Sequence, residues 1–296
     1  MTHTRQQLRA TLKGWAFLSP WLIGFLVFTL IPIALSLYYS FCRYSLLQGP
    51  LFKGTENYRN LMHDDVFWKV MLNTTIYAVF ALPLGMLAAL SVAMLLNSKI
   101  RGVSIYRTIV FLPSLVPQVA SAMLWLWLFN AKLGLVNSAL SAMGIKNPPG
   151  WLIDVHWAMP ALVLMSFWGI GNTVVIYLAG LQDVPRELYE AAEIDGASQL
   201  RKIWHVTLPY ISPVIFFNLI MAIIGTLQIF ATPFILTQGG PARSTYFFTM
   251  YLYDNAFSYL KIGYASAMAW VQVIIVLALT ALAALTSKRW VHYQGK

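Results

Sequence analysis

Glu190 and Glu193 stand three apart, an E-x-x-E that brings two carboxylates to one side of a helix, as carboxylate metal sites require. A di-metal site of that kind also needs matching Glu and His residues from other helices. The histidines on the same side of the chain's apolar segments are His3, His205 and His292, one in each of three distant stretches, so no metal is expected. His63, Asp64 and Asp65 read as a solvated loop rather than a ligand set. No G-x-x-x-x-G-K-[ST] occurs, so the chain carries no phosphate-binding loop for ATP, and no H-E-x-x-H either. Cys42 is the single cysteine, which rules out an internal disulfide. What remains for chemistry is neutral: Asn73, Thr74, Thr75, Asn172, Thr173, Asn218, Thr226, Gln228, Thr232 and Gln272 all fall in apolar surroundings. Beside Trp168, Tyr177 and Phe230, these amides and hydroxyls suit a hydroxyl-rich solute, or else hydrogen bonds between helices.

The elements that must position them are set by composition. Of the 296 residues, 59% are hydrophobic and 10% charged, with a mean hydropathy of +0.66. Soluble proteins carry about 25% charged residues. Stretches without Asp, Glu, Lys or Arg run over 14–42, 70–98, 108–131, 155–182, 203–242 and 262–287. Each exceeds the ~20 residues that cross a ~30 Å hydrocarbon layer. The sequence therefore predicts an all-α membrane protein with six transmembrane helices near 15–39, 71–96, 106–129, 158–181, 210–236 and 264–287. The first reads as an uncleaved signal anchor, because its apolar run is too long for a signal peptide and no small-residue cleavage site follows.

A net charge of +10 follows from orientation rather than from nucleic acid. With six spans both termini share a side, which carries Arg5, Arg9, Lys13, Lys99, Arg101, Arg107, Arg186, Arg201, Lys202, Lys288, Arg289 and Lys296. Lys and Arg accumulate on the cytoplasmic face. This predicts a cytoplasmic N-terminus (1–14), a membrane domain (15–287) and a cytoplasmic C-terminus (288–296). Among the outer loops, 40–69 is amphipathic, LGLVNSALSAMG suits a short surface helix, and TQGGPARST has tight-turn composition. Trp151 and Trp157 are expected as anchors at headgroup level. Pro32, Pro83, Pro113 and Pro117 interrupt spans; each frees a carbonyl that needs a partner in the bundle or water in a cavity.

Half of the ten acidic residues (Asp183, Glu187, Glu190, Glu193, Asp195) lie within thirteen positions of an inner loop, 183–209. Pro185 suits the first turn of a helix, and Asp183 and Glu187 complement its positive end. Gly196 supplies a stop or bend, and Ser198 a cap for a second helix that Pro209 ends. Leu200, Ile203, Trp204 and Thr207 are expected on one face of it. Two short helices joined by a bend, with Ala191 and Ala192 keeping one face low, would let another surface approach.

The segment E-A-A-x-x-D-G-A (190–197) followed by I-W-H-V-T-L-P (203–209) resembles the EAA loop of ABC-importer permeases. NYRNLMHDDVFWKVMLNT, RGVSIYRTIVFLPSLVPQVA, LGLVNSAL and TQGGPARST resemble the carbohydrate branch related to the maltose transporter. That resemblance implies a type I importer: a second homologous permease subunit, two cytoplasmic ATPase subunits that bind ATP and Mg, and an extracytoplasmic solute-binding protein that delivers a carbohydrate or polyol. This chain would hold no cofactor and catalyse no reaction. By matching position, Glu190, Ala191, Ala192, Asp195, Gly196, Leu208 and Pro209 would couple to the ATPase. Ile203 departs from the aromatic residue common at its position. Substrate-pathway positions on the flanking helices would be Trp168, Gly169, Asn172, Asn218, Thr226 and Gln228. A stand-alone carrier or channel for a neutral solute, or a membrane enzyme, are the competing classes; the first would transport without ATP and the second would turn over substrate in detergent.

The charge asymmetry generates a topology test. Cysteines replacing Thr55, Asn147 and Arg243 should react with an impermeant thiol reagent in intact cells, and one replacing Gln199 should not. Labelling at 199 alone would invert the orientation.

Overall fold

A computed structural model describes residues 5–98 and 101–292. Lys99, Lys296 and His3 lie outside the described residues, as do the side chains of Arg5 and Arg9. The described residues form two compact units: the chain up to Asp64 with Leu252–Val273, and Asp65–Tyr251 with Ile274 onward.

In the first unit, α1 (Arg5–Phe25) begins ten residues before the expected span and continues through a π-turn (Leu26–Leu30) into α2 (Ile31–Ser40). The π-turn has a local cause. A proline ring collides with the carbonyl four residues back, and widening the turn ahead of Pro32 swings that carbonyl aside. Accordingly, Ile31 N–H donates to the Leu26 carbonyl, five residues back. The stretch Thr11–Ser40 is long and apolar enough to cross a membrane.

Its C-terminal end corrects the all-α expectation. Cys42–Ser45 (β1) and Gln48–Phe52 (β2) pair as an antiparallel hairpin, with Cys42 opposite Phe52 and a two-residue turn at Leu46–Leu47. The short helix α3 (Glu56–Met62) is tied to it by the buried Asn57 amide, which donates to the carbonyls of Ser40 (2.8 Å) and Cys42 (2.9 Å). Arg43 also pairs with Glu56. The hairpin escapes a hydropathy reading because its strands are short and half its residues are polar.

The second unit opens with α4 (Asp65–Leu96), a continuous 32-residue helix that absorbs Pro83 without a break. The third predicted span is not one straight helix. It is α5 (Val103–Phe111), a 3₁₀ turn (Leu112–Leu115) and α6 (Gln118–Leu128), bent by 99° between Leu115 and Gln118. The residue before a proline is driven from the helical region, and Val116 is extended with ψ 129° ahead of Pro117. The surface helix α7 (Leu135–Ala142) forms where expected. The fourth span is likewise a pair, α8 (Val155–Ser166) with a 3₁₀ turn to Gly169 and α9 (Gly171–Gln182), bent by 50°. After α10 (Arg186–Ile194), α11 (Gln199–Lys202) and α12 (Leu208–Tyr210), the fifth stretch is α13 (Ser212–Leu227) and α14 (Ala231–Leu236), interrupted at Gln228–Phe230. The helix α15 (Phe248–Tyr253) precedes α16 (Ile262–Ser287). Among the described residues, four helical stretches have the length and apolarity to cross a membrane, with α13–α14 taken as one, and the two bent pairs pass the same test as pairs.

The core of this unit forms around α4. Asn73, Tyr77, Ala81, Ala89 and Ala93 stand at multiples of four residues along it, skipping the half-buried Gly85, and are buried. The alanines pack on Val174, Tyr177, Leu178 and Leu181 of α9 and on Ile211 at the start of α13. In a lipid environment small residues let helices approach and gain van der Waals contact. Gly180 is the tightest such point between α9 and α13, since a Cβ there would stand 2.8 Å from Val214 Cγ2. Asn73 and Thr74 are not pathway groups. The Asn73 amide donates to the carbonyls of Arg243 (2.7 Å) and Tyr246 (2.9 Å), and Thr74 Oγ1 accepts from Phe248 N–H (3.0 Å), pinning the TQGGPARST loop to α4. Trp151 is no headgroup anchor either. It is buried, stacks on Phe129 and donates to Asn137 Oδ1 at 2.7 Å.

Gly180→Leu should cost about 1–3 kcal/mol through overpacking and lower the thermal aggregation midpoint in detergent. Gly85→Ala, where a Cβ meets nothing within 4 Å, is the matched control and should leave it unchanged.

Candidate functional site: a mid-chain cavity and a helical-hairpin loop

Three interruptions meet at one place. The break at Val116–Pro117, the 3₁₀ turn Phe167–Gly169 and the break at Gln228–Phe230 all line a cavity of about 700 Å³ in the second unit. Broken helices leave carbonyls and N–H groups unpaired, which membrane proteins tolerate only where the backbone is buried in protein or faces a wet cavity. No lining residue is charged. The volume lies within the range of small-molecule sites.

Five of the six pathway residues nominated from sequence, Trp168, Gly169, Asn172, Thr226 and Gln228, line it. Asn172, Gln228 and the Trp168 ring are exposed to it. Thr226 Oγ1 is occupied by the Ala222 carbonyl at 2.7 Å. Asn218 is apart from the lining: it is buried and donates to the Val214 carbonyl of its own helix at 3.0 Å. The sequence reading missed Tyr77, Ser114, Gln118, Ser121 and Ser166, which complete the polar wall. Gln118 Nε2 reaches Thr232 Oγ1 at 3.3 Å, linking the first turns beyond two of the breaks. The signal for these residues was the proline pair at 113 and 117, around which Ser114, Gln118 and Ser121 cluster. Trp168 meets Trp125 edge-on, with centroids 5.9 Å apart, and Trp125 continues through Phe129 to Trp151. These rings fix the cavity's wall.

The loop 183–209 is a helical hairpin. Pro185, expected in the first turn, is instead the N-cap residue just before α10, with ψ 137°. The end of α10 is a Schellman turn: Gly196 N–H donates to Glu193 (3.0 Å) and Ala197 N–H to Ala192 (2.9 Å), with Gly196 at φ +72°. Ser198 caps α11 by accepting from Arg201 N–H at 3.4 Å. Glu190, Ala191 and Ile194 are exposed along one side of α10, Leu188 is exposed one turn before Ala192, Asp195 is exposed at the turn, and Ala192 is half-buried, so the two alanines differ in exposure. The E-x-x-E pair is split too: Glu190 is free of it, and Glu193 Oε1 receives Lys202 Nζ at 2.7 Å. The Lys202 ammonium, by hydrogen bond and charge, holds the Glu193 carboxyl below its usual range. No cluster of three or more metal-binding side chains occurs among the described residues.

The second helix departs from the expected face. Residues Ile203–Thr207 form a π-turn, again one residue short of a proline, with Leu208 N–H donating to the Ile203 carbonyl. Leu200 and Trp204 are exposed, whereas Lys202 and Thr207 are buried. The hydrophobic pattern assumed an uninterrupted α-helix, and the wider turn shifts the register. Leu208 and Pro209 are half-buried where the chain enters α13.

Interrupted apolar helices around an uncharged cavity, with a polar helical hairpin on one loop, define a multi-pass membrane permease. Residues 81–292 match the family described as binding-protein-dependent transport system inner membrane component. A probable ABC transporter permease protein, YesP, of Bacillus subtilis is 38% identical, covering 100% of this chain and 97% of its own. The lactose transport system permease protein LacF of Rhizobium radiobacter is 37% identical over 91% of this chain and 92% of its own. The crystal structure of a bacterial ABC transporter involved in the import of the acidic polysaccharide alginate contains a chain of the same fold, with TM-score 0.84, 23% identity, and coverage of 96% of this chain and 98% of that one. The chain belongs to the binding-protein-dependent transport system inner membrane component family, and is a permease subunit of an ABC importer; ATP hydrolysis in these systems belongs to a separate subunit.

The left-handed Gly196 sets a local test. Gly196→Val should strain the turn by about 1–3 kcal/mol and speed tryptic cleavage at Arg201 in detergent. Gly196→Asn, which tolerates that conformation, should keep the native cleavage rate.

Proposed function

We propose that this permease moves a neutral carbohydrate or related polyol through the cavity at the three breaks. In that reading six spans cross the membrane, both termini are cytoplasmic, and a second homologous permease completes the pathway. An extracytoplasmic binding protein hands over the solute. The observation that carries the reading is the cavity itself: uncharged, and walled by amides, hydroxyls and the Trp168 ring. Such a surface exchanges hydrogen bonds with hydroxyl groups, and the ring offers an apolar face to a sugar. An ionised solute there would lack a counter-charge, which is costly in a membrane interior. The relative named for lactose transport supports the substrate class.

The hairpin 183–209 is the coupling element in this proposal. Its exposed Leu188, Ala191, Ile194, Leu200 and Trp204 would pack into a cleft of the cytoplasmic ATPase, with Glu187, Glu190 and Asp195 as rim contacts. Asp195 and Gly196 make the turn, and Leu208 and Pro209 carry the motion into α13. Closure of the ATPase pair would then switch access to the cavity by moving the hairpin as a rigid body.

The test uses the complete transporter in proteoliposomes. Asn172→Ala should weaken apparent affinity a few-fold, the scale of one hydrogen bond at roughly 0.5–1.5 kcal/mol, and Trp168→Ala should alter selectivity. ATP hydrolysis should persist in both while transport falls, and Asn218→Ala should leave selectivity unchanged. Full transport with unchanged selectivity in the Asn172 and Trp168 variants would remove the cavity from the pathway.

A further inference from the structure

Three side-chain links cross the 183–209 hairpin in antiparallel order. At its base, Tyr210 OH donates to the Asp183 carbonyl at 2.9 Å. In the middle, the Tyr189 hydroxyl and Thr207 Oγ1 are 2.9 Å apart. Near the turn, Lys202 Nζ donates to Glu193 Oε1 at 2.7 Å. The chain positions run 183, 189, 193 on one arm and 210, 207, 202 on the other, so the links are rungs of one ladder.

The rungs depend on the π-turn. In an ideal α-helix Lys202 and Thr207 would point about 140° apart, five steps of 100°. A turn closed by i→i+5 bonds holds more residues, so it brings residue i+5 nearer to residue i than a regular turn does, and the two buried residues reach Glu193 and Tyr189 of α10. Tyr189 and Glu193, four apart on α10, present the matching pair. The π-turn stands just before Leu208–Pro209, where a wider turn moves aside the carbonyl that the proline ring would otherwise crowd.

Lys202 is the unusual member. Its side chain is 7% exposed while that of Glu193 is 62% exposed, so a cation is buried and its carboxylate is wet. Such a pair is weak as a source of stability, because desolvating the ammonium offsets much of the attraction. Replacing Lys202 with an apolar residue of similar length would leave only an exposed carboxylate, at little cost to folding. A buried cation that folding does not need points to a mechanical role.

We propose that Lys202 is the positioning residue of the coupling hairpin, holding α10 against α11 through Glu193 so that a push on the outer face of α10 reaches α13 undiminished. This rests on the reading of the hairpin as the coupling element. The Tyr189–Thr207 and Tyr210–Asp183 rungs carry the same load nearer the membrane. Lys202 touches neither solute nor nucleotide; it acts through α10.

The experiment compares Lys202→Met, Lys202→Arg, Glu193→Gln and Ala191→Trp in the complete transporter, reading solute moved per ATP hydrolysed, co-purification of the ATPase, and thermal stability. Lys202→Met should fold and retain the ATPase, yet move on the order of tenfold less solute per ATP, the scale of one charge-assisted hydrogen bond. Lys202→Arg should restore the ratio, since its fork still reaches Glu193. Glu193→Gln should lower both the ratio and the stability, because it strands the buried cation. Ala191→Trp, on the exposed face, should release the ATPase. A normal transport-to-ATP ratio in Lys202→Met overturns the positioning role, whereas an unaffected ATPase in Ala191→Trp overturns the coupling reading beneath it. Should Lys202→Met fail to reach the membrane, Tyr189→Phe tests the next rung, and an unchanged ratio there likewise overturns the ladder.

Discussion

Proline without an amide proton, placed in a medium without water, is the constraint on which most of this structure depends. Every backbone polar group in hydrocarbon must be paired within the protein or reach a wet cavity. A proline removes one donor and displaces the carbonyl four residues before it. The chain answers in three ways. Pro83 is absorbed within α4. Pro32 and Pro209 are each preceded by a π-turn, which keeps the helix continuous while moving the offending carbonyl. Pro117 breaks the helix outright and turns the chain by 99°. The third answer exposes polar backbone, and it falls beside the other two interruptions rather than alone.

That collection of breaks makes the cavity a consequence of backbone chemistry before it is a matter of side chains. Once α5–α6, α8–α9 and α13–α14 are interrupted at one level, the space between them must hold polar groups. Serines, threonines and amides occupy it, and the Gln118–Thr232 contact joins two of the interrupted stretches. The aromatic succession Trp168, Trp125, Phe129 and Trp151 supports the same wall through ring contacts, giving a soft polar lining a stiff backing. Alanines and Gly180 hold the other side of the unit, where helices pack closely and nothing needs to bind.

The legible parts of the sequence were those governed by short-range rules. Charge-free runs marked the six long apolar stretches but not the short apolar helix α15, Gly196 and Ser198 marked the turn and the cap, and LGLVNSAL marked the surface helix. What was not legible depended on partners far along the chain. Asn73 looks like a pathway amide until the Arg243 and Tyr246 carbonyls, some 170 residues on, take its protons. Trp151 looks like a headgroup anchor until Asn137 accepts its N–H and Phe129 covers its face. Leu200 and Trp204 were assigned to a face that a π-turn dissolves, and hydrophobic periodicity has no means to register one extra residue in a turn. The hairpin at Cys42–Phe52 was lost for a different reason: strands of four and five residues give too short an alternation to read.

The same proline that sets the register of the hairpin also joins it to the membrane helix. Pro209 lies inside α12, which continues the π-turn, and stands three residues before Ser212, where α13 begins. The π-turn ahead of it brings Lys202 and Thr207 toward α10, and Tyr210, just beyond it, closes the base of the loop on Asp183. A hinge at this point would let the hairpin swing freely and lose whatever displacement it received. In the coupling proposed for the hairpin, rungs on both sides of the bend would resist that, and α13 leads on to Thr226, Gln228 and the cavity wall. Within the second unit, then, helices and paired side chains, with a turn at Ile211 between α12 and α13, join an exposed acidic face to the uncharged lining. The π-turn in that succession precedes the residue type that elsewhere in the chain breaks helices apart.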